Sequence, residues 1–153
     1  VSAVIAPVDG RVIALADVAD PVFSAEMVGP GCAIEPAGSE EMDAELDVVS
    51  PVSGTLVKLH PHAFVITTAE GVGVLVHLGI DTVQLKGEGF EPHVAEGDEV
   101  SAGQLVTRWT TWPAAREGYP ATVMIAVLDR EPGSIVSSRV GDDVTQGEEL
   151  FTL

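Results

Sequence analysis

The chain carries four histidines and a single cysteine. The histidines are His60, His62, His77 and His93, and they hold most of its chemical potential. His62 and His77 bracket two β-branched runs, Phe64-Val65-Ile66-Thr67 and Val72-Gly73-Val74-Leu75-Val76, separated by Thr68-Ala69-Glu70-Gly71. A two-residue hairpin centred between Ala69 and Glu70 pairs position 62 with position 77. Directly opposed residues share a face with Cβ atoms about 4.5–5.5 Å apart, so this register sets two imidazoles side by side. Phe64, Ile66 and Leu75 then join the histidines on the outward face, and Ala63, Val65, Val74 and Val76 form the core face. Adjacent imidazoles disfavour each other's charged form, so at least one is expected to stay neutral near physiological pH. Such a pair suits a metal site, with zinc about 2.0–2.1 Å from each nitrogen. It equally suits covalent catalysis, one ring acting as nucleophile and the other donating to the transferred group. His93, in Glu91-Pro92-His93-Val94, reads as a surface residue.

Short strands must carry these side chains. Turn signals recur at close intervals: Pro7-Val8-Asp9-Gly10, Gly29-Pro30-Gly31, Pro36-Ala37-Gly38, Pro51-Val52-Ser53-Gly54, Glu96-Gly97-Asp98 and Gly141-Asp142-Asp143. Gly and Pro punctuate there because one frees φ and the other fixes it. Many short strands with such spacing predict an all-β chain, an antiparallel sandwich or barrel-like fold with little helix. Residues 40–46 and 113–118 alone have room for a helical turn or two, and residues 109–120 read as a loop returning to the sheet. Two echoes suggest an internal duplication. Pro7-Val8-Asp9-Gly10 resembles Pro51-Val52-Ser53-Gly54, and Gly97-Asp98-x-Val100-x-x-Gly103 resembles Gly141-Asp142-x-Val144-x-x-Gly147, each at an offset of 44. The acidic stretch 38–47 reads as a solvated loop.

Length and composition narrow the function. At 153 residues, 46% apolar and 20% charged, the chain fits one domain over 1–153 with a real core, and disorder, collagen and coiled coil are excluded. Acidic residues outnumber basic ones 24 to 7, for a formal charge of −17. Such a surface repels phosphate backbones and anionic lipid, which argues against nucleic acid and membrane insertion. Cys32 has no partner within the chain, so no intrachain disulfide forms, and a cytoplasmic protein is expected. No signal peptide is visible, and the missing initial Met points to a trimmed chain or a piece of a longer one.

The run Val74-Leu75-Val76-His77-Leu78-Gly79-Ile80-Asp81-Thr82-Val83-Gln84-Leu85-Lys86-Gly87-Glu88-Gly89-Phe90 resembles the phosphorylation-site signature of the glucose-family IIA proteins of the bacterial sugar phosphotransferase system. His62-Ala63-Phe64 resembles that family's second active-site histidine and its flank. Ala6-Pro7-Val8-Asp9-Gly10, Asp20-Pro21-Val22-Phe23, Met27-Val28-Gly29-Pro30-Gly31 and residues 141–150 extend the similarity over nearly the whole chain. The resemblance implies an antiparallel β-sandwich that needs no cofactor. It implies that His77 takes a phosphoryl group from the phosphocarrier protein HPr and passes it to a cysteine on the IIB domain of a sugar permease, while His62 steadies the group. It also leaves room for regulatory target proteins on the same face. Gly79 is expected to let a nearby carbonyl fix the His77 tautomer with Nε2 facing the phosphoryl group. Asp81 is expected to cap the turn after the strand or to act on the histidines electrostatically. Val22, Phe23, Val28, Leu75 and Val83 are expected to form an apolar docking rim. Glucose-specific enteric members of the family carry a Thr two places before the supporting histidine. His60 stands there instead, and whether it takes over the hydroxyl's role stays open.

Three other readings compete. A biotinyl or lipoyl carrier shares the Gly-Asp-x-Val-x-x-Gly pattern, but needs a modifiable Lys at a hairpin tip, and Lys58 and Lys86 lack the usual neighbours. A zinc hydrolase would draw on His60, His62 and His77, but no further Asp or Glu falls in register. A regulatory binding module would use the same face without phosphoryl transfer.

Overall fold

Alternation of β-branched and polar residues between Gly and Pro turns gives strands of two to seven residues, as the periodicity predicts. The computed structural model describes every residue except Val1, Glu40 and Asp43. Its main element is an eight-stranded antiparallel sheet. In spatial order it runs Asp143–Val144, Gly10–Ala14, Gly31–Pro36, Val123–Val127, Gly73–Leu78, Ala63–Thr67, Gly54–His60 and Glu99–Val100. Two smaller antiparallel ladders accompany it. Ala3–Ile5 pairs with Glu149–Thr152, and Glu45–Val49 pairs with Leu105–Thr110, which also carries Phe90–Pro92. In chain order these strands are β1 (Ala3–Ile5), β2 (Gly10–Ala14), β3 (Gly31–Pro36), β4 (Glu45–Val49), β5 (Gly54–His60), β6 (Ala63–Thr67), β7 (Gly73–Leu78), β8 (Phe90–Pro92), β9 (Glu99–Val100), β10 (Leu105–Thr110), β11 (Val123–Val127), β12 (Asp143–Val144) and β13 (Glu149–Thr152).

The duplication is visible in the hydrogen bonds. Val12 N donates to Asp142 O and Gly141 N to Val12 O; 44 residues later, Leu56 N donates to Asp98 O and Gly97 N to Leu56 O. Gly10 pairs with Val144 as Gly54 pairs with Val100. Ala3 pairs with Thr152 as Asp47 pairs with Arg108. The sheet order β12-β2-β3-β11 against β9-β5-β6-β7 is therefore two equivalent halves meeting at the antiparallel β7–β11 pair. One difference separates the halves. Val12 pairs with Ile34, whereas its equivalent Leu56 pairs with Ile66, so the first hairpin is 12 residues longer.

The extra residues fold over the outer face of the sheet. They form a 3-10 turn, Leu15–Asp17, and a short helix α1, Pro21–Ser24. Asp20 caps α1, its carboxylate accepting from Val22 N at 2.9 Å and Phe23 N at 3.4 Å, and Pro21 presets the first helical φ. Leu15, Val18 and Phe23 bury themselves there against Ala33, Ile80 and Met124, making a small second core. The main core lies on the opposite face, where Phe64, Ile66, Val74, Val76 and Ile125 meet Val4, Val106 and Trp109 from the smaller ladders.

Two sequence expectations change here. The β6–β7 register pairs Ala63, not His62, with His77, and Phe64 with Val76. The cause is the turn. Thr68 N donates to Val72 O, and Gly71, at φ +86°, closes a three-residue loop of residues 69–71 where a two-residue turn was expected. A one-residue slip turns a strand over, so Phe64 and Ile66 are core residues, while Ala63 and Val65 lie on the outer face. Of the expected helical turns, the one at 113–118 exists as α2, Trp112–Arg116, inside the connection 109–120. Of 40–46, Glu40 and Asp43 lie outside the described residues, and the chain is already strand from Glu45.

A row of imidazoles as candidate active site

His77 sits on β7 on the outer face, with Ala63 opposite on β6 and Met124 opposite on β11. Its Nδ1 lies 2.8 Å from Gly79 O. A carbonyl oxygen only accepts, so Nδ1 carries the proton and Nε2 of the neutral ring keeps its lone pair. Gly79 is held in turn. Its N–H donates to Thr122 O at 2.8 Å, and Ile80 N donates to Pro120 O at 3.0 Å. Glycine is required at φ +83°, where a Cβ would lie 2.4 Å from Thr82 Cγ2 and 3.0 Å from Pro120 O. Gly79 thus combines a backbone conformation that favours glycine with a carbonyl that holds the His77 Nδ1–H tautomer.

His62 reaches His77 by another route than the predicted cross-strand pairing. His60 pairs with Ala63 across the tight turn Pro61-His62, and Leu78 N donates to His62 O at 2.7 Å, fastening the turn to the end of β7. The His62 and His77 rings meet edge to face, centroids 5.0 Å apart at 73°. His60 stacks on His62 at 5.9 Å and 27°, and Phe23 lies against His77 at 5.2 Å and 60°. Four rings therefore stand in a row: Phe23, His77, His62, His60. Burial, with His77 and His60 alongside, holds the His62 imidazole down to about 4 from the usual 6.5. Burial also lowers His77, opposed by the Gly79 carbonyl and the Asp20 carboxylate. Both rings are thus kept neutral, the nucleophilic form.

Asp20 is the acidic group that sequence reading missed at the site. Its Asp-Pro dipeptide is a legible helix start, but its nearness to His77 follows only from the folding back of the inserted segment. Asp81 does not cap with its side chain. It takes a left-handed φ of +62° ahead of the 3-10 turn Thr82–Leu85, its backbone O accepts from Gln84 N, and the side chain is exposed. The expected rim is divided. Val22 (43%) and Val83 (56%) are exposed, joined by Met27 (74%), whereas Phe23 is 6% exposed and belongs to the second core. Val28 and Leu75 are half-buried against that same core. Phe23 is thus a buried wall of the site and not part of the outer rim, because the 12-residue excursion needs an apolar anchor on the sheet. His93 pairs with Glu91, Nε2 to Oε1 at 2.8 Å.

The rival chemistries find little support. Lys58 lies inside β5 opposite Val65, and Lys86 ends a 3-10 turn, so neither stands at a hairpin tip. Among the described residues, no three His, Cys, Asp or Glu side chains converge as a metal-ligand set. No helix among them is long and apolar enough to cross a membrane.

The chain is similar to proteins of known family. The family described as "phosphoenolpyruvate-dependent sugar phosphotransferase system, EIIA 1" matches residues 2–132. A glucose-specific EIICBA component of Streptococcus pneumoniae is 51% identical over 100 residues, which cover 64% of this chain but 13% of that protein. A glucose-specific EIIA component of Oceanobacillus iheyensis is 43% identical over 147 residues, 95% of this chain and 85% of that one. The solved structure of glucose permease IIA from Mycoplasma capricolum superposes with a TM-score of 0.82 at 35% identity, covering 99% of this chain and 94% of that one. With the match extending over most of its length, the chain belongs to the EIIA 1 family of the phosphoenolpyruvate-dependent sugar phosphotransferase system.

Proposed function

We propose that this phosphoryl carrier works through His77 as the phosphorylated nucleophile, with His62 as the donor that steadies the group. The observation that carries the assignment is the 2.8 Å contact from His77 Nδ1 to Gly79 O, which leaves Nε2 as the free lone pair. Nε2 attacks the phosphorus of a phosphohistidine on HPr. The new N–P bond forms as the donor's N–P bond breaks, and that electron pair stays on the donor imidazole. The proton stays on Nδ1, donated to the Gly79 carbonyl, and that hydrogen bond helps to disperse the positive charge of the phosphorylated ring. His62, neutral at physiological pH, offers one N–H to the phosphoryl oxygens. In the second step a cysteine thiolate of a IIB domain attacks the same phosphorus, the S–P bond forms, and His77 leaves as neutral imidazole. The relatives named above are glucose-specific, so the acceptor is inferred to be the IIB domain of a glucose-family permease, reached from the cytoplasm.

Docking falls to the outer face. Val22 and Met27, which flank Phe23 in sequence, and Val83, six residues past His77, are exposed apolar side chains; as a docking border they would let a second folded surface expel water and bring its reacting atom to about 3–3.5 Å. The net charge of −17 steers a basic partner and makes association weaken with salt. The test is phosphoryl transfer in vitro. His77→Ala is expected to take up no label from phospho-HPr. His62→Gln is expected to take up label yet pass it to IIB about 10²–10³-fold more slowly. Full uptake by His77→Ala with none by His62→Gln reverses the two roles.

A further inference from the structure

We propose that His60 is a positioning residue for His62, its ring acting as a plate that holds the His62 imidazole edge-on to His77. This rests on the reading of His62 as the phosphoryl stabiliser. The argument starts from what holds each ring. The His77 ring is fixed by a hydrogen bond to Gly79 O and by Phe23 at 5.2 Å. No hydrogen bond to either His62 ring nitrogen is found among the described residues, so packing must orient it. On one side His62 meets His77 at 73°, an edge contact that alone leaves its plane free to swing. On the other side His60 lies nearly parallel at 27° and 5.9 Å.

The backbone explains why His60 can do this. His60, Pro61, His62 and Ala63 form a tight turn closed by the His60–Ala63 pair, and Pro61 fixes φ at its second position. The two imidazoles thus rise from a short, stiff segment whose carbonyl at His62 is tied to Leu78 N. His60 is exposed and anchors no core, so its ring is free to act on its neighbour without a cost to folding. His60 also adds to the forces that keep His62 neutral, so a single residue favours both the plane and the proton state of the donor.

The experiment compares His60→Ala, which removes the plate, with His60→Phe, which keeps a ring without a charge, in the full chain. Two measurements are made: ¹³C relaxation and pH titration of the His62 ring by NMR, and the rate of phosphoryl donation to IIB. In His60→Ala the His62 ring is expected to gain motion, and donation to fall about five- to tenfold, since misplacements of an ångström cost up to about 10²-fold. In His60→Phe the ring is expected to stay ordered and donation to stay within about threefold of wild type. The His62 titration should move upward in both variants. Unchanged His62 relaxation in His60→Ala overturns the positioning role, whatever His62 does. Equal slowing in the two variants overturns the plate in favour of a charge effect. If His62→Gln itself donates at the wild-type rate, the stabiliser reading fails, and the His62 relaxation still decides whether His60 orients that ring.

Discussion

Gly79 offers the sharpest perturbation, because one missing methyl group links the stability of the fold to the tautomer of His77, the proposed nucleophile. In Gly79→Ala the residue must keep φ near +83° or the hairpin end must move. Holding a left-handed φ with a Cβ costs about 1–2 kcal/mol. The new Cβ would lie 2.4 Å from Thr82 Cγ2, far inside contact distance. Thr82 cannot turn away freely, for it is fully buried and its hydroxyl donates to Leu78 O at 2.5 Å. Breaking that buried bond costs about 1–3 kcal/mol. The sum is about 2–5 kcal/mol, which lowers the melting temperature by roughly 4–20 °C for a domain of this size. Retreat of the backbone would also draw Gly79 O away from His77 Nδ1. The ¹⁵N shifts of His77 should then report a mixture of tautomers, and label uptake from phospho-HPr should fall by up to about 10²-fold. Adding Thr82→Ser removes Cγ2 and keeps the hydroxyl, so the double variant should recover part of the lost melting temperature. A Gly79→Ala protein that melts lower but keeps the Nδ1–H tautomer and full uptake would refute the link between this carbonyl and the chemistry. No recovery on adding Thr82→Ser would refute the steric account.

Three other perturbations test separate parts of the site. Phe23→Glu places a carboxylate in the second core and removes a ring whose loss alone costs about 3–5 kcal/mol, so thermal unfolding should show a large loss of stability; a wild-type melting curve would mean that the inserted segment does not pack as described. Val83→Glu, at an exposed position, should leave melting within about 0.5 kcal/mol of wild type yet slow transfer from phospho-HPr and to IIB, and unchanged rates in both steps would remove Val83 from the docking border. The folded state holds His62 down to about 4 against 6.5 in the unfolded chain, so the unfolded state binds more protons between those values and stability falls as pH drops through that window. The full linkage of about 3 kcal/mol is reduced by the half-exposure of the ring to about 1–2 kcal/mol; in denaturant unfolding from pH 7 to pH 4 the stability of wild type relative to His62→Gln should fall by that amount, and a rise in that difference would contradict the sign.

The histidine pair was legible in the sequence for a reason that does not depend on the register. The turn before Ala63 and the end of β7 are adjacent under either pairing, because Leu78 N bonds to His62 O. The face assignment of β6 was not legible in the same way. It turns on whether Ala69-Glu70 or Ala69-Glu70-Gly71 makes the turn, and Gly71 at φ +86° settles this only with the backbone in view. Phe64 and Ile66 look the same on either face, since apolar residues flank them on both sides. Phe23 was misplaced for another reason. An apolar residue in a Pro-containing excursion reads equally as a docking residue or an anchor, and only the presence of Ala33, Met124 and Ile80 beneath it decides. The duplication was legible because both halves need the same turn chemistry: the Gly at 97 and 141, with φ of +97° and +93°, stands at the same point of each ladder.

That duplication bears on where the chemistry lies. Two equivalent halves of the sheet, if left identical, would offer the same hairpin ends at both β2–β3 and β5–β6. The halves differ at these two ends. In one, 12 added residues carry Asp20 and Phe23 over the outer face. In the other, the tight turn Pro61-His62 brings His60 and His62 to the end of β7. His77 lies on β7, the strand that meets its counterpart β11 at the junction of the halves, so both hairpin ends reach it from opposite sides. The long connection supplies a buried ring and a carboxylate, which anchor His77 and temper the loss of basicity that burial imposes. The short one supplies a stiff turn, since two residues closed by a backbone pair leave little conformational freedom to lose; with His62 as the proposed donor, little is lost on binding a phosphoryl group. On the proposed assignment, a nucleophile at His77 that is loaded and unloaded by two partners needs such a fixed setting and an open side. The paired backbone of the sheet supplies the first, and the exposure of Val22 and Val83 is consistent with the second.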